Sequence, residues 1–160
     1  MLKSMIVCLS LFLTGAVCTD PPEIELTSTT GDHIKLSEFK GKVVVVSYWA
    51  TWCKPCILEL KFLNKLAEKY KNDLVVLAIS TDGPNTQSQI NSTIHSKRLS
   101  NLIVLLDSTG ETNPSSSLPY SIYINREGKQ CSEHSGFIIG DDITIEKKIS
   151  FLIGETNVRN

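Results

Sequence analysis

The sequence has no excess of charge of one sign and no block of basic residues. Its 160 residues include 16 Lys and Arg against 17 Asp and Glu, a formal net charge of −1. Domains that bind nucleic acid gather Lys and Arg on one face and interleave them with aromatic side chains. No stretch of this chain has that composition, so we expect no nucleic-acid partner.

The N-terminus lacks a hydrophobic run of transmembrane length. The apolar stretch Met5–Leu13 follows Lys3 and is too short to span a bilayer unaided. A basic residue, a short apolar run and then small residues are typical of a secretory signal. We predict that residues 1–18 form a signal peptide, with cleavage after Ala16 or after Cys18.

Two other fates of this N-terminal segment stay open. An uncleaved leader would anchor the protein to a membrane. Lipidation at Cys18 is less favoured, because Val17 is bulkier than a lipoprotein signal tolerates and Gly15 stands where leucine is expected. In each case we expect a periplasmic or otherwise extracytoplasmic protein.

Cysteines are also few. Of the five, Cys8 lies in the predicted signal, Cys18 lies at its end and Cys131 stands alone, where we interpret it as a buried apolar filler. Cys53 and Cys56 are the only local pair, so the chain is not a disulfide scaffold. A structural bridge across so short a loop gains little chain entropy, and the pair is therefore interpreted as catalytic.

The length fits one domain. About 142 residues remain after the predicted signal peptide. The proline-marked residues 19–22 cannot pack as a helix and are interpreted as a linker. We predict a single domain over residues 23–155, a tail over 156–160, and a monomer.

The cysteine pair lies at the junction between a predicted strand and a predicted helix. The run Val43–Val46 predicts a fully buried strand, and Ile57–Tyr70 has helical periodicity. The positive end of a helix favours a thiolate over a thiol. Pro55 fits an early helical position, because the donor it lacks would be unpaired there. Cys53 and Cys56 are therefore predicted to alternate between dithiol and disulfide.

The residues around the pair suggest separate roles. We predict that Cys53, nearer the helix end and solvent, is the attacking thiol, and that Cys56 resolves the mixed disulfide. Lys54 adds a positive charge that favours the thiolate. Trp52 is expected to form part of the contact surface, and Trp49 to pack under the motif.

A metal site is the main chemical alternative. Cys131 and His134 could complete a four-ligand zinc set with the pair in sequence alone. Strand spacing, however, places Cys131 well away from the active-site end, and we predict no bound metal and no cofactor. Copper delivery by the same thiols stays as an alternative, because two sulfurs near an imidazole suit Cu(I).

The rest of the domain alternates strands and helices. The stretches Glu23–Thr27 and His33–Leu36 alternate apolar and polar residues, which predicts a two-stranded extension. Leu74–Ser80 predicts a buried strand parallel to the first, because a helix connects the two. Further along, we predict a weak exposed helix after Gln87, strands over Leu102–Leu106 and Tyr120–Ile124, a turn at Asn125–Gly128 with a returning strand to Ser135, and a closing helix over Asp141–Ile153. The fold class is α/β with a central mixed sheet.

The segment Lys40–Glu59, which contains the Trp-Cys-Lys-Pro-Cys motif, resembles the secreted TlpA/ResA-like thiol–disulfide oxidoreductases of bacteria. The likeness covers roughly residues 23 to 153. It implies a thioredoxin-like fold with an N-terminal hairpin extension and a central helix–strand insertion. It also implies reduction of disulfides in exported proteins, for example apocytochrome c before haem attachment, with electrons from a membrane partner.

The resemblance adds residues outside the motif. Pro119 matches the cis-proline that faces the disulfide in thioredoxin-like proteins, although an ordinary trans-proline opening a strand is the alternative. Leu118 would offer backbone groups to an extended substrate. Together with Trp52, Lys54 and Pro55, these two residues form the predicted substrate-binding set.

Glu59 matches a family glutamate that accepts or returns a proton as the disulfide closes or opens. Ser47 stands where thioredoxins proper hold a buried aspartate, and Glu59 is the candidate replacement. Apolar neighbours predict a partly buried carboxyl with a raised pKa. The alternative is a solvated glutamate paired with Lys61 or Lys65.

These features predict an extracytoplasmic thiol–disulfide oxidoreductase that acts on disulfide-containing proteins. An oxidase or isomerase of secreted disulfides uses the same chemistry and is the nearest alternative. A copper-binding chaperone and a redox-inactive peptide-binding domain are the alternatives from other classes.

Overall fold

The computed structural model describes residues 18–154. Nearly all of the predicted signal peptide, and the predicted tail, lie outside the described residues. Within 18–154, no helix has both the length and the apolar character needed to cross a membrane.

Within the described residues, seven strands form one mixed sheet in the order β2-β1-β5-β4-β3-β6-β7. The strands are β1 (Glu25–Ser28), β2 (His33–Lys35), β3 (Val43–Trp49), β4 (Leu74–Ser80), β5 (Ile103–Leu106), β6 (Tyr120–Ile124) and β7 (Gln130–Ser135). The predicted α/β class with a central mixed sheet is confirmed.

The centre of the sheet is β3, which is buried along its whole length. It pairs in parallel with β4, Val43 opposite Leu74, and antiparallel with β6, Tyr48 opposite Tyr120. Strands covered on both faces are expected to be continuously apolar, which is why the valine run predicted this strand.

Helices α1 (Lys54–Lys69), α2 (Gln87–Lys97) and α3 (Asp141–Ile153) pack on one face of the sheet. In α1 the buried side chains recur every three or four residues, as predicted. Only Ile90 of α2 is buried, which agrees with the weak exposed helix expected there. The opposite face is covered by Ile24, by Leu36 at the start of a 3-10 turn, and by Leu118.

The N-terminal extension belongs to the main sheet. β1 pairs antiparallel with β2 and, on its other side, with β5 of the helix–strand insertion. The predicted strands began at Glu23 and ended at Leu36. Leu36 instead opens the 3-10 turn and donates its backbone N–H to Ile24.

The prediction that Cys131 stands alone as a buried filler is wrong. Cys131 is half-buried and forms a disulfide with Cys18. Residues 19–22, which we interpreted as a linker, begin with a β-bridge from Thr19 to Gln130 of β7. The two cysteines are 113 positions apart, and only the strand pairing of the folded chain brings them together.

Candidate active site

The cysteine pair forms a disulfide at the start of α1. Cys53 is the N-cap residue, and its sulfur accepts the backbone N–H of Cys56 at 3.3 Å. Pro55 occupies the first turn, as predicted. The sequence folds this way because the cap residue must be extended, and Pro55 fits where no intrahelical donor is needed.

Cys53 is less accessible than expected. In the disulfide form 4% of Cys53 and 0% of Cys56 is exposed, so their predicted order holds but the difference is small. Both residues pack in a cluster with Trp49, which is fully buried beneath them as predicted, and with Leu118. Little of Cys53 is therefore open to an approaching substrate in the disulfide form.

Asp82 fixes the loop that precedes the pair, and our sequence analysis missed it. Its carboxylate accepts hydrogen bonds from the Thr51 backbone N–H at 3.0 Å, the Thr51 hydroxyl at 2.7 Å and the Ser80 hydroxyl at 2.7 Å. A usable signal was present, because Asp82 follows β4, and the carboxyl ends of adjacent parallel strands meet at one sheet edge.

The predicted substrate-binding residues surround the pair. The Leu118–Pro119 peptide bond is cis, as expected, and the Pro119 carbonyl accepts the N–H of Gly136 at 2.8 Å. Lys54 and Pro55 are exposed, and 74% of Trp52 is exposed. An indole in open solvent beside a buried disulfide gives an incoming protein an apolar surface to contact.

Glu59 is fully buried, one turn behind Cys56 on α1. Its carboxylate accepts hydrogen bonds from Ser121 at 2.8 Å and from Ser47 at 3.1 Å, two residues that face each other across β3 and β6. The solvated alternative, with a lysine partner, is therefore wrong.

Burial raises the pKa of Glu59 to about 7, although the hydrogen bonds from Ser121 and Ser47 act in the opposite direction. A carboxyl with a pKa near 7 exists in both protonation states at neutral pH. It can therefore accept or release a proton during a reaction at neutral pH.

The zinc alternative does not fit the structure. Cys131 is bonded to Cys18 and is not free to bind metal, and His134 Nε2 lies 3.3 Å from Asp141 Oδ2. Across residues 18–154, no group of three or more His, Cys, Asp or Glu side chains is arranged to hold a metal ion.

Comparison with known proteins gives consistent matches. The model of the AhpC/TSA family matches residues 17–148. The thiol–disulfide oxidoreductase ResA of Bacillus thuringiensis subsp. konkukian is 34% identical over 120 residues, which cover 73% of this chain and 68% of that protein.

Solved structures agree with the sequence matches. A putative thiol:disulfide interchange protein DsbE from Chlorobium tepidum has a TM-score of 0.77 and 28% identity, and the match covers 88% of this chain and all of that one. An exposed lipoprotein thioredoxin from Streptococcus pneumoniae has a TM-score of 0.64 and 31% identity, over 79% of this chain and 98% of that one.

Proposed function

The chain belongs to the AhpC/TSA family and is a thiol–disulfide oxidoreductase with a thioredoxin-like fold, and we propose that it reduces disulfide bonds of exported proteins outside the cytoplasm. The leader-like residues 1–18 and the likeness to an exposed lipoprotein thioredoxin support this location. Apocytochrome c before haem attachment is the substrate that the family resemblance suggests. A membrane-bound donor would return the protein to its dithiol form.

The reaction exchanges one disulfide for another. The Cys53 thiolate attacks a sulfur of the substrate disulfide, and the other substrate sulfur leaves as a thiolate. Cys56 then attacks Cys53, which closes the protein disulfide and releases the second substrate sulfur. Two electrons pass to the substrate, and Glu59 accepts the proton that Cys56 gives up. Trp52, Lys54, Pro55, Leu118 and Pro119 contact the substrate around the mixed disulfide.

The buried carboxyl of Glu59 is the observation that carries the reducing direction. The N-terminus of α1 and Lys54 favour thiolates, but Lys54 is exposed and its charge is screened by water. Glu59 lies in the protein interior, where its negative charge acts strongly against a nearby thiolate. A strong oxidant such as DsbA depends on a stabilised reduced form. Because Glu59 opposes that stabilisation, we expect a reducing couple.

The redox potential of the Cys53–Cys56 couple tests this proposal. The purified chain would be equilibrated in dithiothreitol buffers, and the reduced fraction of this pair measured by alkylation and peptide mass spectrometry. We expect a potential near the thioredoxin value of about −270 mV and a less reducing value for Glu59→Gln. A wild-type potential near the DsbA value of about −120 mV would favour the oxidase alternative instead.

A further inference from the structure

The first described residues extend the sheet at its edge. Thr19 and Gln130 exchange both backbone hydrogen bonds, at 2.9 Å and 2.8 Å, and the neighbouring Cys18 is bonded to Cys131. The segment runs antiparallel to β7, whose other side pairs with β6. The edge strand is therefore covered at this point, which protects it from pairing with other chains.

The antiparallel register itself places the two sulfurs together. In such a pairing, residues that exchange hydrogen bonds alternate with pairs that do not, and the latter have Cα atoms about 4.5 Å apart. Cys18 and Cys131 occupy the position next to the hydrogen-bonded pair, and their Cα atoms are 4.2 Å apart. On the other side of that pair, Asp20 and Lys129 form an ion pair at 2.6 Å. The N-terminal segment and β7 therefore pair in the same register at three consecutive positions.

This disulfide lies at the opposite end of the sheet from the active site. Gln130 pairs with Ile124 at the far end of β6, whereas Ser135 pairs with Tyr120 next to Pro119. Cys131 lies between the Tyr123–Ser132 and Ile124–Gln130 pairs, so three to four residue steps along the strand, or ~10–13 Å, separate it from Tyr120. Because thiol–disulfide exchange requires contact between sulfurs, Cys53 cannot reach this bond within the same molecule.

We propose that Cys18–Cys131 is a structural disulfide of the mature protein, which locks the N-terminal segment onto β7 and is made by a separate oxidant. The two thiols lose two electrons and two protons as the S–S bond forms. A disulfide-bonded oxidant protein of the exported compartment takes them up and becomes a dithiol. The proposal rests on the extracytoplasmic location, where such bonds persist.

The Cys18–Cys131 disulfide also constrains how the N-terminus is processed. One sulfur atom cannot carry both a lipid thioether and a disulfide, and cleavage after Cys18 would remove it. The structural role therefore excludes cleavage after Cys18. Of the two predicted cleavage positions it leaves the one after Ala16, and an uncleaved leader would also keep Cys18.

Peptide mapping without reduction tests the proposal. Processed chain from the exported fraction would be acid-quenched, alkylated and digested, and a second sample would be oxidised in a glutathione buffer after purification. We expect one cross-linked peptide pair containing Cys18 and Cys131, two hydrogens lighter than the free peptides. Alkylated Cys131 in the folded oxidised chain, or a Cys18 that is lipidated or missing, would overturn the proposal. Because the glutathione sample does not depend on where the chain resides, a failure of the proposed location is distinguished from a failure of the lock.

Two variants distinguish the role of the Cys18–Cys131 disulfide from that of the active-site cysteines. Cys53→Ala/Cys56→Ala should keep the full yield of the cross-link in cells, and its loss there would show that copies of this chain make the bond. In Cys131→Ala, the backbone amides of Thr19 and Gln130 should lose protection from hydrogen exchange while β3 keeps it. If the Thr19 amide keeps its protection from hydrogen exchange in this variant, the N-terminal segment stays paired with β7 without the disulfide.

Discussion

At the scale of single residues, the two active-site cysteines differ by little in exposure but by much in position. Cys53 ends the loop as the N-cap, whereas Cys56 lies inside the first turn with its side chain fully enclosed. Of the two residues, Cys53 is the one with any exposed surface. This arrangement supports the proposed roles, in which Cys53 attacks the substrate and Cys56 acts on the sulfur already bound to Cys53.

Cys56→Ser should accumulate mixed disulfides with substrate proteins through Cys53, because the second thiol that would release them is absent. Diagonal gels of exported proteins, followed by mass spectrometry, measure the trapped species. Cys53→Ser is the matched control and should trap none. Equal trapping by the two variants would mean that the roles are reversed or shared.

Glu59 links protonation to stability. Its pKa of about 7 in the folded chain stands against an ordinary value of 4.5. The folded state therefore keeps a proton that the unfolded chain releases between these pH values. Stability from this group is fully present below pH 4.5 and is lost as the pH rises to about 7. The difference corresponds to roughly 3 kcal/mol.

Glu59→Gln should remove this pH dependence. Urea unfolding of the oxidised proteins at pH 4.5 and pH 8 measures this dependence. From pH 4.5 to pH 8, the free energy of unfolding of the variant should rise by roughly 3 kcal/mol relative to that of the wild type. Glu68→Gln, an exposed position on the same helix, should follow the wild type. If the free energies of unfolding of Glu59→Gln and wild type differ by the same amount at both pH values, Glu59 does not titrate between pH 4.5 and pH 8.

At the scale of elements, the geometry of the site depends on how β3, β4 and α1 meet. Asp82, two residues after the end of β4, accepts hydrogen bonds from the backbone N–H and the hydroxyl of Thr51 in the loop from β3 to α1. It also accepts one from the hydroxyl of Ser80 in β4. Hydrogen bonds to a charged acceptor are stronger than neutral ones. The position of Cys53, two residues after Thr51, is therefore set by a neighbouring strand.

Asp82→Ala should lower the free energy of unfolding by roughly 2–3 kcal/mol, because it leaves the Thr51 N–H without its partner. Thr51→Val removes only the hydroxyl contact and should cost about 1 kcal/mol. Denaturant unfolding measures both. The double variant should lose less than the sum of the two, because the residues share one contact. Strict additivity would indicate that the two side chains do not interact.

At the scale of the whole molecule, the Cys18–Cys131 bond joins the start of the domain to its penultimate element. The cysteines are 113 positions apart, so the bond closes a loop that includes six of the seven strands. In the chain-entropy account, a cross-link stabilises by restricting the unfolded chain, and long loops gain more than short ones. The Cys53–Cys56 bond, with a separation of 3, has little effect of this kind.

Cys18→Ala/Cys131→Ala should therefore lower the free energy of unfolding by roughly 2–5 kcal/mol. It should also steepen the denaturant dependence, because the unfolded chain exposes more surface without the cross-link. Urea unfolding without reductant measures both quantities. Cys53→Ala/Cys56→Ala is the matched control and should change the slope little. If both double variants unfold with the slope of the wild type, the long cross-link does not restrict the unfolded chain.

Strands and helices that are specified by local sequence patterns could be predicted from the sequence alone. β4 and β6 have the predicted bounds, Leu74–Ser80 and Tyr120–Ile124, because each is a short and largely apolar run. The helix after the cysteine pair was predictable from its periodic apolar face, and the family resemblance identified Glu59 and the cis bond before Pro119. Each of these signals lies within a few residues of the feature it predicts.

Contacts between residues distant in sequence could not be predicted and are known from the folded structure. Thr51 and Asp82 are 31 positions apart, Glu59 and Ser121 are 62 apart, and Cys18 and Cys131 are 113 apart. Periodicity indicates which face of an element is buried, but it does not give the order of strands in a sheet or the register between them. Those depend on how the whole core packs. The partners of the buried Glu59 carboxyl, the hydrogen bonds between Thr51 and Asp82 and the second disulfide therefore follow from the sheet, because each requires two strands or segments to lie side by side in one register.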